Sequence, residues 1–526
     1  MSDRGEPGPA RGADRPPRAL VLAVAGLAVL GGGLASVALG QSVNWDLLNY
    51  HLYDPHAWVT GRWRHDVAPA QLQSYFNPLL HLPYYLGFRA LDHALLAFLT
   101  GAAQGTAGVP LFLLAWRALP AAAAGRTATA LAVAALGLLG PIFVSELGTV
   151  FGDALLAPLV LASLLLVVRA DGRAALAPLA GAGALAGGAV ALKLPCAIYA
   201  PGLVLAHLAL ARDRRARVAG TAALAAGGLA GAALLGGFWA WHLWRVYENP
   251  LFPFFNDWFR SPWMRPWDFK DVRFLPRGWL EALAYPLVVV AEPARAMEKA
   301  FRDLRPAALW LALVALPVLA WRLALRPARP LAAVLVFAAA TIVAWLAQFG
   351  IYRYLAVIEM LAPLALAGLA LGWTGGGRAA TAATLAVLAA SQLAVVVPDW
   401  GRVPFGRLPA RPGALSLAPG TMVLAAGGEP LGFLALALPD DVPFVRVASN
   451  FLKVDDGTGL AAAARRRVEA HPGPFQVLAV ERELAGVGAE IGALGVAVDA
   501  ASCRPVLPEP LPSLGSPIVL CDARRA

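Results

Sequence analysis

Eleven apolar runs divide this chain, at residues 19–40, 94–116, 127–144, 152–168, 174–191, 194–211, 217–240, 305–324, 331–349, 354–373 and 379–397. A bilayer core about 30 Å thick takes about 20 apolar residues to cross as a helix. Inside hydrocarbon every backbone polar group must be bonded within its own segment, so each run is read as a helix. The rest of the composition leaves no other medium. Only 14% of the 526 residues are charged and 59% are hydrophobic, whereas a soluble domain carries about 25% charged residues. So few charges cannot cover a water-facing surface of this size.

The net charge of +10 would suggest nucleic acid if it lay in one patch. The arginines instead recur in short clusters between apolar runs, which excludes that class. Arg4, Arg11, Arg15 and Arg18 precede the first run. A cleaved leader ending near Ala35-Ser36-Val37-Ala38 is the competing reading of this start. The run is longer than the 7–15 residues of a leader's apolar core, and many spans follow, which favours an uncleaved helix. With residues 1–18 inside, the inner loops carry Arg117 and Arg126; Arg169 and Arg173; Arg212, Arg214, Arg215 and Arg217; Arg322, Arg326 and Arg329; and Arg378. Basic residues concentrate in cytoplasmic loops, so count and direction support each other. The expected place is a bacterial inner membrane, with the N-terminus cytoplasmic.

The opposite side then receives loops 41–93 and 241–304 and everything after about 398. Both loops are rich in aromatics, among them Trp45, Trp58, Trp63, Trp241, Trp244, Trp258 and Trp279. Amphipathic aromatics gather at the headgroup level, so these loops are expected as interfacial helices. The transmembrane domain is taken as 19–400. Pro398, Pro404, Pro409 and Pro412 mark a linker over 401–420. Beyond it, β-type runs at 422–426, 444–448, 475–480, 495–498 and 518–521 alternate with a helical stretch at 460–470. That alternation predicts a small α/β domain over 421–526, on the outer side. Gly427-Gly428 reads as an ordinary strand-to-helix turn, since no other part of a phosphate-binding fingerprint accompanies it. Cys503 and Cys521 both fall in this domain, where an oxidising compartment would allow a disulfide.

Ionisable residues at a membrane face are costly, so each asks for a reason. Asp46 lies in Asn44-Trp45-Asp46-Leu47-Leu48-Asn49-Tyr50-His51, directly after the first run. A carboxylate there suits general-base work, and equally a helix cap or an arginine partner. Glu146 and Asp153 flank the start of the fourth run, Lys193 ends the fifth, and Arg353-Tyr354 opens the tenth. Each alone reads as a capping or snorkelling residue. Together on one face, cations would hold a phosphate while a carboxylate activates a nucleophile.

On these residues the sequence resembles the GT-C superfamily of membrane glycosyltransferases, of the bacterial mannosyltransferase and aminoarabinose-transferase type. Asp46 sits where those enzymes carry an acidic residue in the first outer loop. Gly152-Asp153-Ala154-Leu155-Leu156-Ala157-Pro158-Leu159 is similar to their Asp opening a later span. Gly187-Gly188-Ala189-Val190-Ala191-Leu192-Lys193-Leu194-Pro195 is similar to their glycine-rich run ending in Lys, with Leu194 in place of Gly, and Arg353-Tyr354 to their Arg-Tyr before a late span. The first loop departs from the family in having a single acidic residue here rather than a pair.

The resemblance implies an all-α polytopic fold and transfer of a sugar from a polyprenyl-phosphate donor to a lipid, glycan or protein acceptor of the envelope. It implies Asp46 as base, Lys193 and Arg353 on the donor phosphate, and Asp153 or Glu146 orienting the acceptor or a cation. Tyr50, His51, His81 and Tyr354 would line the substrates. No Cys/His cluster has zinc spacing; no cofactor is implied, and a divalent ion at the carboxylates stays open. The competing classes are a transporter or flippase, an outer-face ligase using polyprenyl-linked donors, and a non-catalytic scaffold. The first would favour charges in mid-helix and two similar halves, and the second a dominant late outer loop.

Overall fold

The computed structural model describes residues 15–173, 175–322, 326–408, 413 and 415–526. Arg4, Arg11, Pro409 and Pro412 lie outside the described residues. Each of the eleven runs forms helix over most of its described residues; the last leaves helix after Ala394, and Val396 bridges to Arg302. After α1 (Arg18–Leu39) comes a two-residue strand β1 (Gln41–Ser42), a π-turn at Leu47–His51, α2 (Tyr53–Thr60) and α3 (Leu82–Ala90). The second run forms α4 (His93–Gly105) and α5 (Gly108–Ala118), and the third α6 (Arg126–Leu138) and α7 (Pro141–Glu146). Pro141 breaks the latter pair, because it cannot continue the helical hydrogen bonds. Next are α8 (Gly152–Ala170), α9 (Leu176–Leu192), α10 (Tyr199–Leu210) and α11 (Arg214–Tyr247). The second outer loop holds α12 (Asn256–Phe259) and α13 (Trp279–Ala291), then α14 (Arg305–Arg322), α15 (Arg329–Gln348), α16 (Ala356–Thr374) and α17 (Arg378–Ser391) follow.

The chain is a multi-pass membrane protein. Among the described residues six stretches are long and apolar enough to cross a bilayer: Arg18–Leu39, His93–Ala118, Gly152–Ala170, Arg214–Tyr247, Arg329–Gln348 and Tyr352–Thr374. The other five expected runs form helices that fall short of this measure, and α13 is a short apolar helix that the expected set lacks. Contacts between helix ends sort them into two faces. At one, Asp171 after α8 pairs with Arg212 after α10 and lies 3.7 Å from Arg329 of α15, while Ala124 N donates to Gly376 O at 2.9 Å. These joints belong to the arginine-rich loops. The acidic and basic residues singled out in the sequence all lie at the other end.

Small residues let helices approach closely where lipid gives no hydrophobic drive. A Cβ on Gly187 of α9 would collide with the Gly228 carbonyl of α11.

After α17 the chain returns to the first loop, and β2 (Arg402–Val403) pairs antiparallel with β1. The C-terminal domain is a six-stranded sheet of β3 (Met422–Ala425), β4 (Phe444–Arg446), β5 (Phe475–Val480), β6 (Val496–Val498), β7 (Arg504–Pro505) and β8 (Ile518–Arg525), with α18 (Gly459–Ala470) and α19 (Leu484–Gly492). The order is β4-β3-β5-β8-β6, with β7 on β8; β4, β3 and β5 run parallel, and β8 is antiparallel to its neighbours. Cys503 and Cys521 are joined. Closing a loop of this size stabilises by about 3 kcal/mol in the chain-entropy picture. The expected result for Cys503→Ser with Cys521→Ser is an earlier thermal transition of this domain, checked against the reduced parent protein.

The loop 41–93 departs from the interfacial helices expected of it. The C-terminal domain sits on it and buries it, so that Tyr50, Tyr53, Tyr75 and Tyr85 are all inside. Val67 bridges to Val445 on the open edge of β4, which an unpaired strand otherwise presents for aggregation. Arg62 grips Asp66 with two bonds of 3.1 Å and donates to the carbonyls of Pro439 and Val442; Asp66 accepts from Phe444 N at 2.9 Å. Burial pushes the Asp66 carboxyl up to about 6, so it stays ionised at neutral pH. Arg446 donates to the carbonyls of Pro69, Gly427 and Glu429. The carboxyl ends of β3 and β4, where open parallel sheets ordinarily take ligands, are therefore filled by this contact.

Truncating one partner of a buried ion pair costs about 3–5 kcal/mol, because the other charge is left uncompensated. Asp66→Ala is expected to loosen the domain from the loop, seen as protease cleavage between residues 400 and 480 that the parent protein resists. The loop 241–304 is divided: Trp258 and Trp279 are 81% and 76% exposed, as in an interfacial segment, while Phe252, Phe274, Tyr285 and Phe301 are buried.

Candidate active site

The segment carrying Asp46 is shaped locally by Asn44. Its Oδ1 accepts from Leu47 N at 2.8 Å and its Nδ2 donates to Ser42 Oγ at 2.7 Å, which starts the π-turn. π-Turns of this kind concentrate at functional sites. Tyr50 and His51 point inward from it, and His51 lies 4.2 Å from His81, ring centre to ring centre, with Tyr50 edge-on to both. Burial lowers both imidazoles well below their usual pKa. The Lys193 charge adds to this at both, which favours the neutral imidazoles.

The break between α7 and α8 places the other carboxylates. Gln104 spans it, donating to Glu146 O at 2.9 Å and Thr149 O at 3.0 Å and accepting from Gly148 N at 2.8 Å. Glu146, fully buried, then accepts from Ala154 N through Oε2 at 2.8 Å. Asp153 lies in the first turn of α8, where a carboxylate is favoured by the helix dipole. Gly152 beside it leaves room for Lys193, whose Cδ a Cβ there would approach to 2.7 Å. Lys193 itself stops α9 in an extended conformation ahead of Pro195, and its Nζ reaches Asp153 Oδ2 at 2.6 Å.

Arg353 stands in a 3-10 turn, Tyr352–Leu355, ahead of α16. Its Nη1 reaches Asp46 Oδ2 at 3.1 Å. The guanidinium lies over Phe151, Tyr354 and Trp400 at 5.3, 5.5 and 6.0 Å, and Lys193 Nζ lies 5.3 Å over the same Tyr354 ring. Cations so placed are held by aromatic faces as well as by their carboxylates. The side chains of the two pairs keep 20% and 13% exposure for Arg353 and Asp46, and 15% and 5% for Lys193 and Asp153. They are therefore screened from bulk water but reachable. A small cavity lined by Asp153, Leu156, Val160, Cys196, Tyr199 and Tyr354 lies beside the Lys193–Asp153 pair, between α8, α10 and α16.

All nine residues singled out in the sequence thus meet at one end of the bundle: Asp46, Tyr50, His51, His81, Glu146, Asp153, Lys193, Arg353 and Tyr354. Among the described residues no three His, Cys, Asp or Glu side chains group with metal-holding geometry. Sequence reasoning missed Phe151 and Trp400, which cradle Arg353. It also missed Gln104 and Arg402; the latter donates to the carbonyls of Ser145 and Leu147 at 2.8 and 2.7 Å and fixes the same break. Trp400 directly follows the last run, and an aromatic at that outer boundary was the available signal.

No family model matches the sequence, and no curated protein matches it. Among solved structures, the fold is similar to that in the crystal structure of ArnT from Cupriavidus metallidurans bound to undecaprenyl phosphate. The TM-score is 0.50 at 14% identity, over 96% of this chain and 97% of that one. The similarity therefore takes in the helical bundle and the C-terminal domain together, and the fold expected from the sequence, a mostly helical polytopic chain with a small C-terminal α/β domain, is the fold present.

Proposed function

We propose that this chain is an inverting glycosyltransferase that takes a sugar from a polyprenyl-phosphate donor at the outer face of a bacterial inner membrane. The observation that carries the reading is the meeting of two carboxylates and two cations, from four separate segments, at one end of an ArnT-like bundle. The ArnT structure holds undecaprenyl phosphate, a lipid of the donor class this arrangement suits. With the arginine-rich loops inside, the site and the C-terminal domain face outward and the N-terminus lies in the cytoplasm.

The donor is a phosphodiester carrying one negative charge. Its phosphate would sit between Lys193 and Arg353, which match phosphate as a point charge and a planar fork. The acceptor hydroxyl oxygen attacks the sugar's anomeric carbon from the face opposite the phosphate. The carbon–oxygen bond to phosphate breaks, its electrons stay on the phosphate oxygen, and the hydroxyl proton passes to Asp46. The released lipid phosphate gains a second negative charge at the moment Asp46 loses its own. The net charge of the site is unchanged across the step, which suits a poorly solvated place. Glu146 holds the start of α8, and thereby Asp153 and Lys193, in register. The neutral His51 and His81 and Tyr50 form the wall against which the sugar and acceptor pack.

The purified protein, incubated with lipid extract from a strain lacking it, is expected to release free polyprenyl phosphate from the accumulated donor once extracted envelope glycan or glycolipid is added. No protein-dependent release with any envelope fraction would overturn the assignment.

A further inference from the structure

The four charges of the site are already paired with one another. Arg353 reaches Asp46 at 3.1 Å and Lys193 reaches Asp153 at 2.6 Å. Two cations over one tyrosine ring would repel strongly at low dielectric unless each had its own counter-charge. The carboxylates supply that charge while no phosphate is bound, and they occupy the same guanidinium and ammonium donors that a phosphate needs. While Asp46 Oδ2 accepts from Arg353, the carboxylate is turned toward the cation, and that oxygen is not within reach of a proton it could take.

We propose, resting on the polyprenyl-phosphate reading of the site, that the donor phosphate unmasks the base. It competes with Asp46 for Arg353 and with Asp153 for Lys193, and binding draws the cations onto the phosphate. Asp46 is then left facing the acceptor hydroxyl without its cation. The order of events is donor first, base second. A resting site with no donor keeps Asp46 on its cation instead of on an attacking hydroxyl, and Asp153 takes a definite role as the counter-ion that parks Lys193.

A competitor that occupies the phosphate's cations weakens phosphate binding, so removing its charge strengthens it. Undecaprenyl phosphate binding is measured on the full chain in nanodiscs, with and without EDTA, for the parent protein and for Asp46→Asn, Asp153→Asn, Arg353→Gln and Lys193→Gln. The expected result is binding at least tenfold weaker in Arg353→Gln and Lys193→Gln. In Asp46→Asn, and independently in Asp153→Asn, it is about tenfold tighter, with no effect of EDTA. Unchanged or weaker binding in both aspartate variants, while the two cation variants lose it, would overturn the unmasking and leave the phosphate site standing. Weakened binding in the aspartate variants together with loss on EDTA would instead mean that the carboxylates hold phosphate through a divalent ion. Binding indifferent to Arg353 and Lys193 would overturn the donor-site reading itself.

Discussion

Asp46→Asn is expected to lower release of polyprenyl phosphate from the donor by about 10²–10⁴-fold, the span a positioned general base contributes, with insertion and yield unchanged. The substitution is nearly isosteric, and its amide still offers an oxygen to Arg353 in place of the lost carboxylate. What it cannot do is take a proton from an attacking hydroxyl. Of the three carboxylates Asp46 is the most exposed, its side chain at 13% against 5% for Asp153, while Glu146 is fully buried with one oxygen held by Ala154 N. Full activity in Asp46→Asn would remove Asp46 from the chemistry. A matching loss in Asp153→Asn alone would move the base there.

Arg353→Gln carries the second large effect, an expected fall of about 10²–10³-fold, comparable to deleting one preorganised donor from a site where charge develops. Two losses combine in it. The phosphate gives up its fork of donors, and Asp46 is left partly buried without a cation. Arg353→Lys separates them, since an ammonium keeps the charge but neither the fork nor the stacking on Phe151 and Trp400. It is expected to fall between the parent protein and Arg353→Gln, measured as rate at saturating donor. Lys in place of Arg with no loss at all would mean that only net charge matters there.

The outline of this molecule was legible because lipid is a severe solvent. It forces long apolar runs into helices and leaves so few ionisable residues that each stands out, which is how Asp46, Asp153, Lys193 and Arg353 could be picked from the chain. That they share one end of the bundle was read from the arginine loops alone, and the joints at Asp171, Arg212 and Arg329 gather those loops at the opposite face.

The pairing was not legible. Nothing in the spacing says that Arg353 takes Asp46 and Lys193 takes Asp153, because their partners lie hundreds or tens of residues away and the match is made only by helix packing. The fate of the first outer loop was hidden for a similar reason. Its tyrosines suit a headgroup layer as well as they suit a domain interface, and only the Arg62–Asp66 clamp and the bridge from Val67 to Val445 decide between them. Part of the gap between six full-length stretches and eleven expected runs has a local cause, since α6 stops short of Pro141 and the third run is split there.

The most direct measurement of the central claim is mass-spectrometric profiling of polyprenyl-phosphate sugars and envelope glycans in a strain deleted for this chain. The expected outcome is one polyprenyl-phosphate sugar accumulating while one sugar disappears from an envelope glycan or lipid. Both changes should be reversed by the parent gene and not by Asp46→Asn. A deletion strain with unchanged donor pools and unchanged glycans would contradict it.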